Sequence, residues 1–414
     1  MLPREMDYSQ THAQLPPNMV ATQIVLSPTN GSTFLPSNLI QLDYLSRGYI
    51  VPDSIFVRYK VTHVNTAVAQ IIGTPCFTFF SRNETIIGSS VCETISQYNQ
   101  VANMLTNLTQ SVSGKYGVQS AYGYTDNVTT AISMSQLDGR TVSVNEVISF
   151  SCPLPGLLTN CEKLIPAFAM PQIRTQLTID SITNIYSTVP STGFTISNFE
   201  LCYTMLDAGP NVENITRQLG SFHIKSQSIT NSSVTLASGT SGSVSLVFNQ
   251  RLASVKSAFV LFTGTTSNSV NKWCDSYDPT SNTGEISINV GGISYPARPL
   301  SFANNKAGML QTLRQAIGSI YDKNNELSIN AVEWNKVGND GTSSAEPAKM
   351  IVGVPLEVMH CDALLTGIST QNSAITVLLT TTTATAQAHT VNLLLSYDAL
   401  IEVDVNARQV SVKM

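Results

Sequence analysis

Catalysis by side chains needs a nucleophile beside a base, paired carboxylates across a cleft, or metal ligands at matched spacing. The five histidines of this 414-residue chain, His12, His63, His223, His360 and His389, are scattered, and no two stand two or four positions apart. Metal-ligand spacing is therefore missing. The seven cysteines, Cys76, Cys92, Cys152, Cys161, Cys202, Cys274 and Cys361, show no paired spacing, and several sit inside apolar runs. Reduced, buried thiols explain them better than disulfides. Cys152 and Cys161 could meet across a loop, with packing as the expected role. His360 and Cys361 are neighbours, but neighbours on a strand point to opposite faces. No nucleophile elbow, phosphate-cradling loop or dinucleotide fingerprint occurs. Asp398, Glu402 and Asp404 gather near the C-terminus. Glu402 and Asp404 share one strand face opposite Ile401, Val403 and Val405, the pattern of a solvated face. These residues nominate no catalytic, cofactor-binding or metal site, and the chain is expected not to be an enzyme.

Composition narrows the class further. Charged residues make up 12% of the chain, with 22 Lys+Arg against 27 Asp+Glu and a net charge of −5. That is about half the usual charged share. Without a dense basic cluster the electrostatic footprint of phosphate binding is missing, so direct sequence-specific nucleic-acid binding is not expected. No run reaches the ~18 apolar residues of a membrane span. Residues 1–20 lack a hydrophobic core region and read as a polar arm rather than a signal peptide, which points to synthesis in the cytosol. Asn-x-Ser/Thr triplets at Asn30, Asn83, Asn107, Asn127, Asn214 and Asn231 are then products of composition, not glycosylation sites.

The elements that would position any site are mostly strands, and they come twice. Segment 21–27 alternates apolar with polar, as does 38–44, and both read as half-buried strands. Extended runs follow at 49–61, 144–152, 165–171 and 173–180, closing with 194–206. The second half repeats the order, with 241–249 and 251–262 matching 32–43 and 49–61, and 389–403 matching 194–206. Each half also carries one amphipathic helix, at 93–109 with Ile95, Tyr98, Val101, Leu105 and Leu108 on its stripe, and at 306–322 with Leu310, Leu313, Ile317, Ile320 and Tyr321. Segments 111–127, 268–283 and 339–347 read as polar loops. Gly209-Pro210 marks the boundary, giving an N-terminal arm (1–20), a first β domain (21–209) and a second (210–414).

The order of several motifs carries a resemblance. They are Tyr49-Ile-Val-Pro-Asp-Ser-Ile-Phe-Val-Arg-Tyr59, Ile173-Arg-Thr-Gln-Leu-Thr-Ile-Asp180 and Ser197-Asn-Phe-Glu-Leu-Cys-Tyr-Thr-Met-Leu206 in the first half. In the second half they are Asn249-Gln-Arg-Leu-Ala-Ser-Val-Lys-Ser-Ala-Phe-Val-Leu261, the passage from Tyr295-Pro-Ala-Arg-Pro-Leu300, and Ser396-Tyr-Asp-Ala-Leu-Ile-Glu-Val-Asp-Val405. From about Ala21 onward the chain resembles the double jelly-roll major capsid proteins of double-stranded DNA viruses, the adenovirus and tectivirus lineage. It looks closest to those of Polinton-like viruses, adintoviruses and virophages. The resemblance implies an all-β chain of two tandem eight-stranded antiparallel jelly rolls, each with a short amphipathic helix in a connecting insert. It also implies homotrimeric, pseudo-hexagonal capsomers that tile an icosahedral shell, so the chain would reside in the virion. Its partners would be itself, neighbouring capsomers, and penton and minor capsid proteins, with the arm reaching neighbours or an inner membrane. The size departs from many eukaryotic members and implies shorter outward loops. The alternative is a cell-surface adhesin or carbohydrate-binding protein of two β-sandwiches, since jelly rolls also make lectin domains.

Overall fold

Alternation along the strands sets which faces are wet. Ile173–Ile179 buries every odd residue and leaves every even one half-exposed, as a strand with one core face should. Val255–Gly264, by contrast, is buried at nine successive positions, the mark of a strand covered on both faces. The structure, a computed structural model, describes residues 19–64, 70–73, 76–122, 139–142, 145–185, 193–264, 276–318, 329, 334, 349–358, 365–385 and 388–414.

The first set of strands is β1 (Val20–Leu26), β2 (Thr33–Phe34), β3 (Leu39–Asp43), β4 (Tyr49–Ile50), β5 (Phe56–His63), β6 (Gln70–Gly73), β7 (Phe80–Ile87), β8 (Ser90–Ser96), β9 (Gly139–Val142), β10 (Val147–Pro153), β11 (Ile165–Pro166), β12 (Ile173–Ile179) and β13 (Phe194–Asp207). The second is β14 (Ser221–Leu236), β15 (Gly242–Phe248), β16 (Val255–Gly264), β17 (Glu285–Val290), β18 (Ile293–Ser301), β19 (Ile351–Pro355), β20 (Ile375–Thr381), β21 (His389–Asp404) and β22 (Gln409–Lys413). Six helices intervene: α1 (Tyr98–Thr109), α2 (Val112–Gly117), α3 (Gln119–Tyr122), α4 (Ile182–Ile185), α5 (Pro210–Gln218) and α6 (Lys306–Gly318).

In the second set, one sheet runs β14-β21-β16-β19 and the other β15-β20-β17-β18. Ranked along the chain these eight strands read 1-8-3-6 and 2-7-4-5, the order of a jelly roll built from two Greek keys. The first set has a seven-piece sheet, but the pieces fall into four positions. β1 and β2 both pair with β13, and β4 and β5 pair with its other side. β10 pairs with β5 and β11 with β4. That sheet is again 1-8-3-6, and its partner β3-β12-β7-β8 is 2-7-4-5. The extra pieces arise where a strand is broken, for example by the 3-10 turn Pro52–Ser54, which starts at a proline that cannot donate to a ladder. β6 and β9 form a separate ribbon from the 3-4 and 5-6 connections of the first roll.

Both notable helices lie in the 5-6 connection of their roll, α1 after β8 and α6 after β18. The segments matched in the sequence also fall on equivalent strands: β3 and β15 are second, β5 and β16 third, β13 and β21 eighth. The first roll's core is aromatic: the Tyr59 ring stacks on Phe199 at 5.3 Å and meets Phe150 and Phe80 at 5.2 and 5.4 Å.

Several local expectations change. Segment 93–109 begins as strand, because Thr85 and Asn83 of β7 pair with Glu93 and Ile95 of β8 and hold that stretch extended. Gln97 then turns through a left-handed conformation (φ 50°) and α1 starts at Tyr98. All of α1 but its last residue is buried, so the polar face of Asn99, Gln100, Asn103 and Asn107 is covered as well as the expected stripe of Tyr98, Val101, Leu105 and Leu108. Residues 112–117 and 119–122, expected as loop, are short helices, and Tyr122 packs edge-on to Phe77 at 5.9 Å. Within 268–283, the described residues 276–280 are buried, and the Asp278 carboxylate accepts the Thr280 and Asn282 N–H groups at 2.8 Å each. Of 165–171, β11 covers two residues and the turn Ala167–Ala169 takes the next three. α6 buries Met309, Leu313, Ala316 and Ile317, with Leu310 half-buried, while Ile320, Tyr321, 123–127 and 339–347 lie outside the described residues. At the expected boundary Gly209 (φ 80°) leads into α5, with Pro210 in its first turn, where a missing N–H costs nothing.

Candidate functional site

Among the described residues, the structure brings no reactive set together from those singled out above. His63 and His389 are buried on β5 and β21, and His223 stands on β14 beside Glu402, with Nε2 3.1 Å from Oε1. His12, His360, Cys274 and Cys361 lie outside the described residues. Among the described residues no group of three His, Cys, Asp or Glu could hold a metal. Cys76, Cys92, Cys152, Cys161 and Cys202 are buried free thiols. Cys152 meets Cys76 in the core, and burial pushes the Cys76 thiol well above its usual range. Cys161 instead donates to the Leu157 carbonyl at 3.3 Å. Asn83, Asn107 and Asn231 are buried, which closes those triplets to glycosylation. Glu402 and Asp404 do sit on a partly solvated face, where Lys413 Nζ at 2.5 Å holds the Glu402 carboxyl below its usual range. Asp398 is different, being wholly buried beside Lys256.

The most developed polar site is the seam between the rolls. Its centre is Glu93 on β8, a residue whose local pattern predicts only a helix start. Its carboxylate accepts the Leu157 N–H at 2.9 Å, the Thr85 hydroxyl at 3.2 Å and, across the seam, the Ser228 hydroxyl of β14. Among the described residues it has no cationic partner within ion-pair distance. Burial raises its pKa, and the Ser228, Leu157 and Thr85 hydrogen bonds offset part of that rise. A Cβ at Gly156 would come within 2.9 Å of Glu93 Oε2, so a side chain there would push the carboxylate off its partners. Around this centre Ser226 Oγ donates to the Leu157 carbonyl at 2.5 Å, Asn160 Nδ2 to the Gln227 carbonyl at 3.2 Å, and Asn231 Nδ2 to Gln97 Oε1 at 2.7 Å. Lys225 pairs with Glu162 at 3.3 Å. Such a seam is directional, with buried polar atoms of each roll aimed at particular partners on the other. Its far end opens into a groove of about 660 Å³ between the β7–β8 turn and the β21–β22 hairpin, lined by Gly88, Ser90, Phe222, His223 and Arg408.

The outer faces of the two 1-8-3-6 sheets are unlike. In the first roll this face carries Arg58, Lys60, Ser149 and Asn198, all exposed, and a groove of about 780 Å³ opens where β1 gives way to β2. In the second roll α6 lies on β19 and β16. The contact is tight, since a Cβ at Gly353 would come within 2.6 Å of Leu313 Cδ1.

No protein-family model matches this sequence, and no curated protein does. Among solved structures the chain is similar to the capsid of the virus PBCV-1, with a TM-score of 0.64 at 12% identity, covering 98% of this chain and 99% of that one. The Faustovirus major capsid protein follows at 0.63 and 8% identity over 94% and 92% of the two chains. The mavirus major capsid protein gives 0.56 and 8% over 100% and 93%. The chain has the double jelly-roll fold. At such identities the likeness is one of architecture, and it spans nearly the whole length of each neighbour.

Proposed function

We propose that this double jelly roll is a major capsid protein: three copies form a pseudo-hexagonal capsomer, and capsomers tile an icosahedral shell around double-stranded DNA. The observation that carries the reading is the repetition of 1-8-3-6 and 2-7-4-5 in tandem, joined by a hydrogen-bonded seam. Two equivalent rolls per chain give six per trimer, which is what turns a threefold object into a hexagonal tile. Full-length similarity to capsid proteins of PBCV-1, Faustovirus and mavirus supports it. In this reading residues 1–20 are an arm on the inner side, 21–209 and 210–414 are the rolls, and the partners are other copies, pentons and minor capsid proteins in the virion. The role is structural rather than enzymatic, with synthesis in the host cytosol. Negative-stain class averages of the purified assembly test it. Six lobes on a hexagonal outline support the tile, and any other symmetry counts against it.

A further inference from the structure

We propose that Lys256 and Asp398 condense to an intramolecular isopeptide bond, with Glu357 as proton carrier, stapling the third and eighth strands of the second roll. β16 pairs with β21 at Val255↔Tyr397 and then Ser257↔Ser396, so Lys256 is the extra residue of a bulge. Bulges re-aim side chains. Here the Lys256 side chain is 4% exposed and enters a site with Asp398 at 0% and Glu357 at 8%.

The geometry distinguishes the two carboxylates. Lys256 Nζ is 3.2 Å from Glu357 Oε1 and 3.9 Å from Asp398 Oδ1. Asp398 is pinned through its other oxygen, which accepts the Ser254 hydroxyl at 2.7 Å and the Thr366 N–H at 3.1 Å. Oδ1 makes no hydrogen bond among the described residues. A closed ion pair of this kind would sit at about 2.8 Å. Instead the amine is held against Glu357, within reach of the Asp398 carboxyl but not closed onto it, so a small approach along the bulge would bring Nζ to Cγ. The Thr366 hydroxyl donates to Glu357 Oε1 at 2.5 Å and lies 3.4 Å from Asp398 Oδ2, which links the two acids.

In the step, the ammonium passes a proton to Glu357 and the freed Nζ attacks Asp398 Cγ. The C–N bond forms, Nζ gives up a second proton, one Cγ–O bond breaks, and the departing oxygen takes two protons, the one returned by Glu357 and the one from Nζ, and leaves as water. Ammonium plus carboxylate thus become amide plus water, with no oxidant or cofactor. Two buried charges, costly to keep in a low-dielectric interior, disappear.

Mass spectrometry of the denatured full chain tests the bond. The folded protein is expected to be lighter than its sequence by one water, and digestion to release a branched peptide joining the Lys256 and Asp398 segments. Glu357→Gln keeps the site's volume and is expected to leave a folded chain at full sequence mass. Folded wild-type protein at full sequence mass, without the branched peptide, would overturn the proposal. A bond formed equally fast in Glu357→Gln would remove Glu357 from it.

Discussion

In each roll the third and eighth strands carry a cation–carboxylate pair beside a bulge, and the two pairs live in opposite surroundings. Arg58 and Glu200 face solvent, with side chains 49% and 32% exposed, next to the irregularity between Ser197 and Glu200. Lys256 and Asp398 are sealed in, at 4% and 0%. The topology is the same, so the difference comes from what lies outside the sheet. α6 covers the second roll's sheet, and β14 meets Glu93 and its neighbours. Among the described residues the first roll's sheet keeps a polar, exposed outer face. A repeated fold can thus divide labour, with one roll stabilised internally and the other left to present a surface.

The largest effect should come from substitutions at neighbouring positions of the third strands. Phe259→Ala and Val260→Ala point to opposite faces of β16, and both are buried. They are expected to cost about 3–5 and about 1–3 kcal/mol in denaturant unfolding. On β5, Tyr59→Ala should be similarly costly, while Lys60→Ala should fall within about 0.5 kcal/mol. A mild Val260→Ala would break the contrast.

Next in size is the helix that creates it. Gly353→Ala puts a methyl where Leu313 already sits, and overpacking of this kind costs about 1–3 kcal/mol. Faster hydrogen exchange confined to α6, β16 and β19 would show that the cover has lifted.

Glu93→Gln probes the seam through pH. The folded pKa of Glu93 is raised by burial, so its stabilisation is fully present below the unfolded value of about 4.3 and fades as pH rises through the folded one. The melting temperature of wild type minus Glu93→Gln should therefore decline with rising pH, and the variant should be the more stable at the alkaline end. A difference that grows with pH would contradict this account.

The smallest effect belongs to Arg58→Ala. An exposed, solvent-screened ion pair contributes little to stability, so isolated chains should unfold almost as wild type does, while assembly is the place to look for a defect.

Much of this was legible in the sequence where burial follows simple periodicity. The strict alternation of 173–180 became β12, the apolar run of 251–262 became β16, and the tandem correspondences fell on equivalent strands. What was hidden depends on partners distant in sequence. β14 is rich in Ser, Gln and Asn, yet Ser226, Gln227, Ser228 and Asn231 are buried because the first roll hydrogen-bonds them. Glu93 looked like a helix start because local pattern cannot reveal the β7–β8 ladder that keeps it extended. Lys256 did leave a signal, as the one charge between Leu252 and Thr263, but only the fold supplies its two carboxylates.

If two rolls of one topology but unlike outer faces make each chain one third of a hexagonal tile, native mass spectrometry of the purified, folded chain should show a persistent species of three chain masses across a wide dilution range. A lasting monomer under the same conditions would contradict it.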